Sequence, residues 1–151
     1  MSQKVAEAVQ ASREGMNCCQ SIIATYGPPF GLPPEVAVRL GSCFGGGLGR
    51  SGEVCGAVTG ATMVLGWKYG PPDAKNREAR EPGYALVREM IGIFRERRGS
   101  VICRQLLNCD ISTAVGYAQA KERGVMKELC PMLVQDAAEI LEAIIAREDR
   151  A

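Results

Sequence analysis

The sequence predicts an all-α fold: a compact single-domain helical bundle of about six to seven helices with a glycine-rich loop. Three observations carry this expectation. Apolar residues recur at three- and four-residue spacing along nearly the whole chain. The alternation of β-branched and polar residues that marks half-buried strands is missing. Breakers and capping residues fall between the periodic stretches. The chain has 151 residues, 46% of them apolar and 23% charged, which fits one domain over 1–151 without linker, repeat or low-complexity segment. A chain of this length buries roughly two-thirds of the surface it exposes when unfolded, so its fold does not call for disulfide staples.

Each element follows from local chemistry. Residues 3–14 carry Val5, Ala8 and Val9 at helical spacing, and Gly15 breaks the run. Asn17 is placed to cap a second helix with Cys19, Ile22, Ile23 and Tyr26 on one face. GPPFGLPP (27–34) reads as a rigid loop whose last two prolines open a helix over 34–43. FGGGLGRSG (44–52) is a glycine-rich turn, and an apolar helix is expected from Glu53 to about Tyr69. Residues 73–98 begin highly charged and become amphipathic, with Tyr84, Val87, Met90, Ile91 and Phe94 as the stripe and Pro82-Gly83 as a kink or split. Ser100 is expected to cap a short helix through VICRQLL, and DIST (110–113) to cap another running to about Arg123. The last helix is expected to begin near Cys130-Pro131, burying Leu133, Ala137, Ile140, Leu141, Ile144 and Ile145.

The bulk numbers exclude several classes. With 18 Lys and Arg against 17 Asp and Glu, interspersed, the net charge is +1 and no electrostatic surface for nucleic acid or membrane is expected. No apolar stretch reaches the length of a membrane span, and the first fifteen residues carry charges where a signal peptide needs an apolar core. A cytoplasmic location follows as an expectation. There are seven cysteines and no histidine. In a reducing compartment such cysteines point to metal or redox chemistry rather than structural disulfides. The lack of histidine removes His-ligated haem, Cys–His catalytic pairs and imidazole-ligated zinc.

The stretch GEVCGAVTGA (52–61) focuses that chemistry. Cys55 falls in the predicted first turn of the helix after the glycine loop, Cys103 in the first turn after Ser100, and Cys130 at the cap before Pro131. At helix starts the backbone N–H groups lack partners and the dipole favours negative charge. That setting lowers a thiol from its usual value of about 8.5 and suits thiolate ligands of a metal cluster. The competing reading is packing, because cysteine also behaves as a small buried hydrophobe. Cys19 and Cys43 are expected to be core filler, and Gly56 with Gly60 to permit a close helix crossing. GLGRSG (47–52) matches G-x-G-x-x-G, yet no strand precedes it, so a nucleotide-binding enzyme using the 45–52 loop ranks last. A tight turn carrying Arg50 toward Cys55 is expected instead. No C-x-x-C occurs, which speaks against zinc ribbons and thioredoxin-type dithiols.

Four blocks, NCCQS (17–21), GGGLGRSGEVCGAVTGATMVLG (45–66), GSVICRQLLNCDIS (99–112) and CPMLVQDAAEILE (130–142), together resemble the redox-active family named for its cysteines, C_GCAxxG_C_C. The resemblance covers nearly the whole chain. It implies that Cys18 is the first labelled cysteine, Cys55 the central one, and Cys103 with Cys130 the later pair, with Cys109 a close candidate. The label wants Gly-Cys-Ala-x-x-Gly; here the order is Val54-Cys55-Gly56-Ala57-Val58-Thr59-Gly60, one small residue different. A related module occurs in split-Soret cytochromes, dimers that carry an iron–sulfur centre beside haems. Without histidine or C-x-x-C-H, only the iron–sulfur or thiol part carries over, and a homodimer is implied by the resemblance alone.

The expectation is therefore a cysteine-based redox protein serving an unnamed redox partner. Cys55, Cys103, Cys109 and Cys130, with Cys18 as an alternative ligand, would hold an iron–sulfur cluster, or pairs of the thiols would cycle as disulfides. A non-catalytic helical interaction module with structural cysteines is the alternative.

Overall fold

A computed structural model describes residues 1–151. It contains eight α-helices and no strand: α1 (Gln3–Arg13), α2 (Cys18–Tyr26), α3 (Pro34–Gly41), α4 (Gly56–Tyr69), α5 (Glu81–Arg98), α6 (Cys103–Leu106), α7 (Ala114–Glu122) and α8 (Val125–Glu148). The count is one more than the upper end of the expected six to seven. No helix is long and apolar enough to cross a membrane.

Capping chemistry sets the boundaries. Ser2 caps α1 by accepting from the Val5 amide. Asn17 and Gln20 form a reciprocal capping box at the start of α2. Thr113 caps α7 by accepting from the Gly116 amide. Pro82 opens α5 in its first turn, where proline costs no hydrogen bond, so the expected kink or split is a helix start preceded by a short 3-10 turn. The start of the last helix requires correction. It lies at Val125, not near Cys130-Pro131, and Pro131 stands inside α8. Proline there removes one hydrogen bond, that to the Lys127 carbonyl, and buried Pro131, Leu133, Val134 and Ala137 hold the helix together through packing. A proline after a cysteine marks a helix start only where no tertiary contact carries the helix past it.

α4 is apolar on nearly all sides and is the central helix, packed on α2, α5 and α8. α1 lies antiparallel along α8: Ser2, at the beginning of α1, donates to Glu142 near the far end of α8. Tyr26 at the end of α2 donates to the same carboxylate at 2.8 Å. The core joins these helices in one cluster of 23 buried residues, with Ile22, Leu65, Met90, Phe94 and Leu141 fully enclosed. A smaller cluster of Cys103, Leu107, Ile111 and Ala120 sits under α6 and α7.

The crossing of α2 and α4 is the tightest contact. A Cβ built at Gly60 would stand 2.9 Å from the Cys19 carbonyl oxygen and 3.0 Å from Ile22 Cβ; one at Gly56 would meet the Cys19 amide nitrogen at 3.0 Å. Gly66, further along the same helix, faces nothing within 4 Å. Gly60→Ala should therefore destabilise the fold by about 1–3 kcal/mol through overpacking, and Gly66→Ala should stabilise it by up to about 1 kcal/mol through helix propensity. Denaturant unfolding of both variants checks the pair, and equal effects would contradict this crossing.

Candidate functional site

The cysteines sort into groups by what the backbone does around them. Cys18 is the first residue of α2, immediately after the Asn17 capping box, and is buried against the core. Cys55 is the residue preceding α4, with extended backbone, and is 2% exposed. Because Gly56 lets α4 approach α2, its missing Cβ leaves room 3.2 Å from Cys18 Cβ, and Cys18 and Cys55 face each other.

Cys103 arrives by a separate device. The segments before α4 and α6 run antiparallel at Val54 and Ile102: the Cys55 amide donates to Val101 O at 2.8 Å and the Cys103 amide to Glu53 O at 2.6 Å. This bridge sets two helix starts side by side. The glycine-rich loop then seals the junction. Gly46, Gly47, Leu48, Gly49 and Arg50 all have positive φ, between 56° and 67°, forming a left-handed turn. Gly47 is required there twice over, since a Cβ would stand 2.7 Å from Cys103 Cβ and 2.6 Å from the Glu53 amide nitrogen. Arg104 pairs with Glu53 across the same junction.

Cys130 comes from the second turn of α8 and is half-buried. The sequence placed it at a helix cap; in the structure it stands inside the helix, so no free amides surround it from its own backbone. What perturbs it is Cys18. Hydrogen bonding to Cys130 and then to Cys55, with burial adding to both, pushes the Cys18 thiol well above the ordinary range. Cys130 is correspondingly lowered by the Cys18 thiol, against burial and the negative charge of Cys55. Cys55 is lowered by Cys18 first, then by the amides of Ala57 and Val58, with burial opposing. Cys18 thus holds its proton more firmly than Cys55 and Cys130, which are both biased toward the charged form. Burial pushes Cys103 up to about 12, with Cys55 and Cys130 adding to the effect and Arg104 opposing it.

Cys18, Cys55, Cys103 and Cys130 line one cavity of about 520 Å³, together with Gly46, Gly47 and apolar side chains from α8 and from the segment after α6. The other three cysteines do not line it, although Cys109 packs against the cluster of Cys103, Leu107 and Ile111. Cys109 faces a second, surface cavity and donates its thiol to Gly116 O at 3.2 Å. Cys19 is fully buried with its sulfur 3.9 Å from that of Met63, and burial pushes it up to about 11. Cys43, expected as core filler, is exposed after the end of α3. Arg50 also departs from expectation: its guanidinium stacks 4.4 Å over the Tyr117 ring rather than supporting Cys55. The left-handed turn aims it at α7. GLGRSG follows helix α3, so the strand that a dinucleotide fingerprint needs is replaced by a helix.

The sequence model of the family described as "Putative redox-active protein (C_GCAxxG_C_C)" matches residues 16–144. The chain belongs to this family. No curated protein and no solved structure matches it. The C_GCAxxG_C_C description supplies a redox role in general, and the four cysteines of the cavity fall within the matched span, one in each of its four sequence blocks.

The cavity of this C_GCAxxG_C_C protein presents four cysteines and no carboxylate, the soft donor type that thiolate-ligated metals take. No three Cys, Asp or Glu side chains converge on a point where a single ion would sit. A two-iron cluster asks less, since each iron takes only two cysteines.

The electrostatics give a labelling prediction. A thiol held below its usual value ionises at lower pH, and only the thiolate alkylates. Half-buried Cys130 should therefore react with iodoacetamide near neutral pH and reach its plateau rate at lower pH than a free thiol, while Cys19 and Cys103 stay slow. Peptide mass spectrometry across a pH series measures this, and Cys103 reacting ahead of Cys130 would contradict the assigned charge distribution.

Proposed function

We propose that the protein transfers electrons at an iron–sulfur cluster held by Cys18, Cys55, Cys103 and Cys130. The observation that supports this reading is that these four, drawn from four separate parts of the sequence, line one cavity that the remaining three do not line. Cys109, named as a ligand candidate from the sequence, is left out on that ground. When bound, the cluster would supply one-electron chemistry. The chain's own residues contribute the rest. The Ala57 and Val58 amides stabilise negative charge on Cys55, Cys18 holds the proton that must leave before it can ligate, and apolar walls limit water around the sulfurs.

Anaerobic reconstitution with ferrous iron and sulfide tests the reading. The expected result is bound iron, acid-labile sulfide and visible absorption in the wild-type protein. Serine at 18, 55, 103 or 130 should weaken iron binding by more than the roughly 10–100-fold cost of losing a supporting residue. Cys109→Ser should leave it unchanged. A colourless, iron-free wild-type protein, or equal loss in Cys109→Ser, would overturn the proposal.

The shared cavity and mutual electrostatic influence of Cys18, Cys55 and Cys130 favour a second reading without metal. Two of these thiols would release two electrons and two protons as their S–S bond forms, reducing the disulfide of a redox partner to two thiols. Oxidation of the iron-free protein with a disulfide reagent should then link Cys18 to Cys130 or Cys55, as read by non-reducing peptide mapping. Persistence of all three as free thiols would remove this reading.

A further inference from the structure

The redox cavity has a charged mouth that the cysteines do not explain. Arg13, in the last turn of α1, and Lys127, in the first turn of α8, both line it. The antiparallel packing of α1 on α8 brings them to the same end of the bundle: Ser2 meets Glu142, and eleven residues further along α1 lies the segment of α8 around Pro131. Both side chains are exposed, and neither forms an ion pair. No Asp or Glu lines the cavity. Asn17, the amide side chain at the rim, is committed to the Gln20 amide and to the carbonyls of Gly41 and Ser42.

The rest of the lining is largely apolar: Met16 and Met126 are partly exposed, and Leu107, Ile111 and Leu133 are buried. A volume of about 520 Å³ falls within the range of about 300–1,000 Å³ that small-molecule sites occupy. Apolar walls with a few charged groups of one sign at one end select an amphiphile whose head carries the opposite charge.

We propose that this cavity binds a small organic anion, a carboxylate with an apolar body, whose head pairs with Arg13 and Lys127 and whose body lies against the walls leading to the thiols. The proposal deepens the redox reading by naming the class of small molecule the same site takes. Its relevance to electron transfer rests on that reading; the binding itself does not.

Titration of the reduced, iron-free protein with octanoate, followed by amide NMR shifts, separates the two. Octanoate should shift the amides of Gly46, Gly47 and Met126, and octylammonium should not. The double variant Arg13→Gln/Lys127→Gln should weaken octanoate binding roughly tenfold, as the loss of two exposed ion pairs allows. Arg123→Gln, an exposed cation facing the other cavity, should leave it unchanged. The spectra themselves report whether each variant is folded. Octanoate that shifts none of these amides, equal binding of octylammonium, or wild-type affinity in the double variant would overturn the proposal. Octanoate binding as expected in a protein that takes up no iron would remove the cluster and keep this site.

Discussion

The structure depends on the close crossing of α2 and α4. Two glycines four residues apart, Gly56 and Gly60, remove the side chains that would otherwise hold the helices apart at the backbone of Cys19. Everything at the site scales from that separation. Cys18 opens one helix and Cys55 precedes the other, so the crossing brings the two helix beginnings and their thiols together. The small residues expected to permit a close helix crossing do so, and the packing in turn serves the thiols.

The charge distribution follows from what surrounds each sulfur rather than from the residue type. Cys55 has two backbone amides of its own helix and a donating neighbour in Cys18. Cys130, inside a helix, has no free amides and is biased by Cys18 alone. Cys103 gains little from its position at the start of α6, because burial first, and then the negative charge favoured on Cys55 and Cys130, outweigh the nearby Arg104. A helix dipole acts within about one turn and weakens with a short helix; α6 has four residues. Burial sets the direction for the last thiol, and charges of like sign in the same low-dielectric cavity reinforce it.

Two devices hold Cys103 where it belongs. The Val54–Ile102 bridge ties the approach segments of α4 and α6, and the left-handed turn at 46–50 packs against the result. Leu48 and Arg50 adopt positive φ in this turn without being glycine, a conformation that costs about 1–2 kcal/mol per residue. The stacking of Arg50 on Tyr117 and the backbone bonds from Arg50, Gly52 and Glu53 to Gly45, Gly46 and Gly47 offset that cost. The loop is thus a rigid part of the cavity wall, with glycine where a side chain would strike Cys103.

By itself the sequence determined the helices, their caps at Asn17 and Thr113, the glycine crossing at 56 and 60, and the two thiol-bearing helix starts at Cys55 and Cys103. These are local properties: periodicity, capping chemistry and missing side chains act over a few residues and leave their mark in the order of letters. The tertiary structure decided which thiols share a cavity, that Cys18 rather than Cys109 belongs with them, that Cys130 stands inside a helix running through Pro131, and that Arg50 turns to Tyr117. Each of these depends on contacts between segments tens of residues apart. Local pattern cannot encode such contacts, because burial and neighbouring charge override the preference of a single proline, arginine or cysteine.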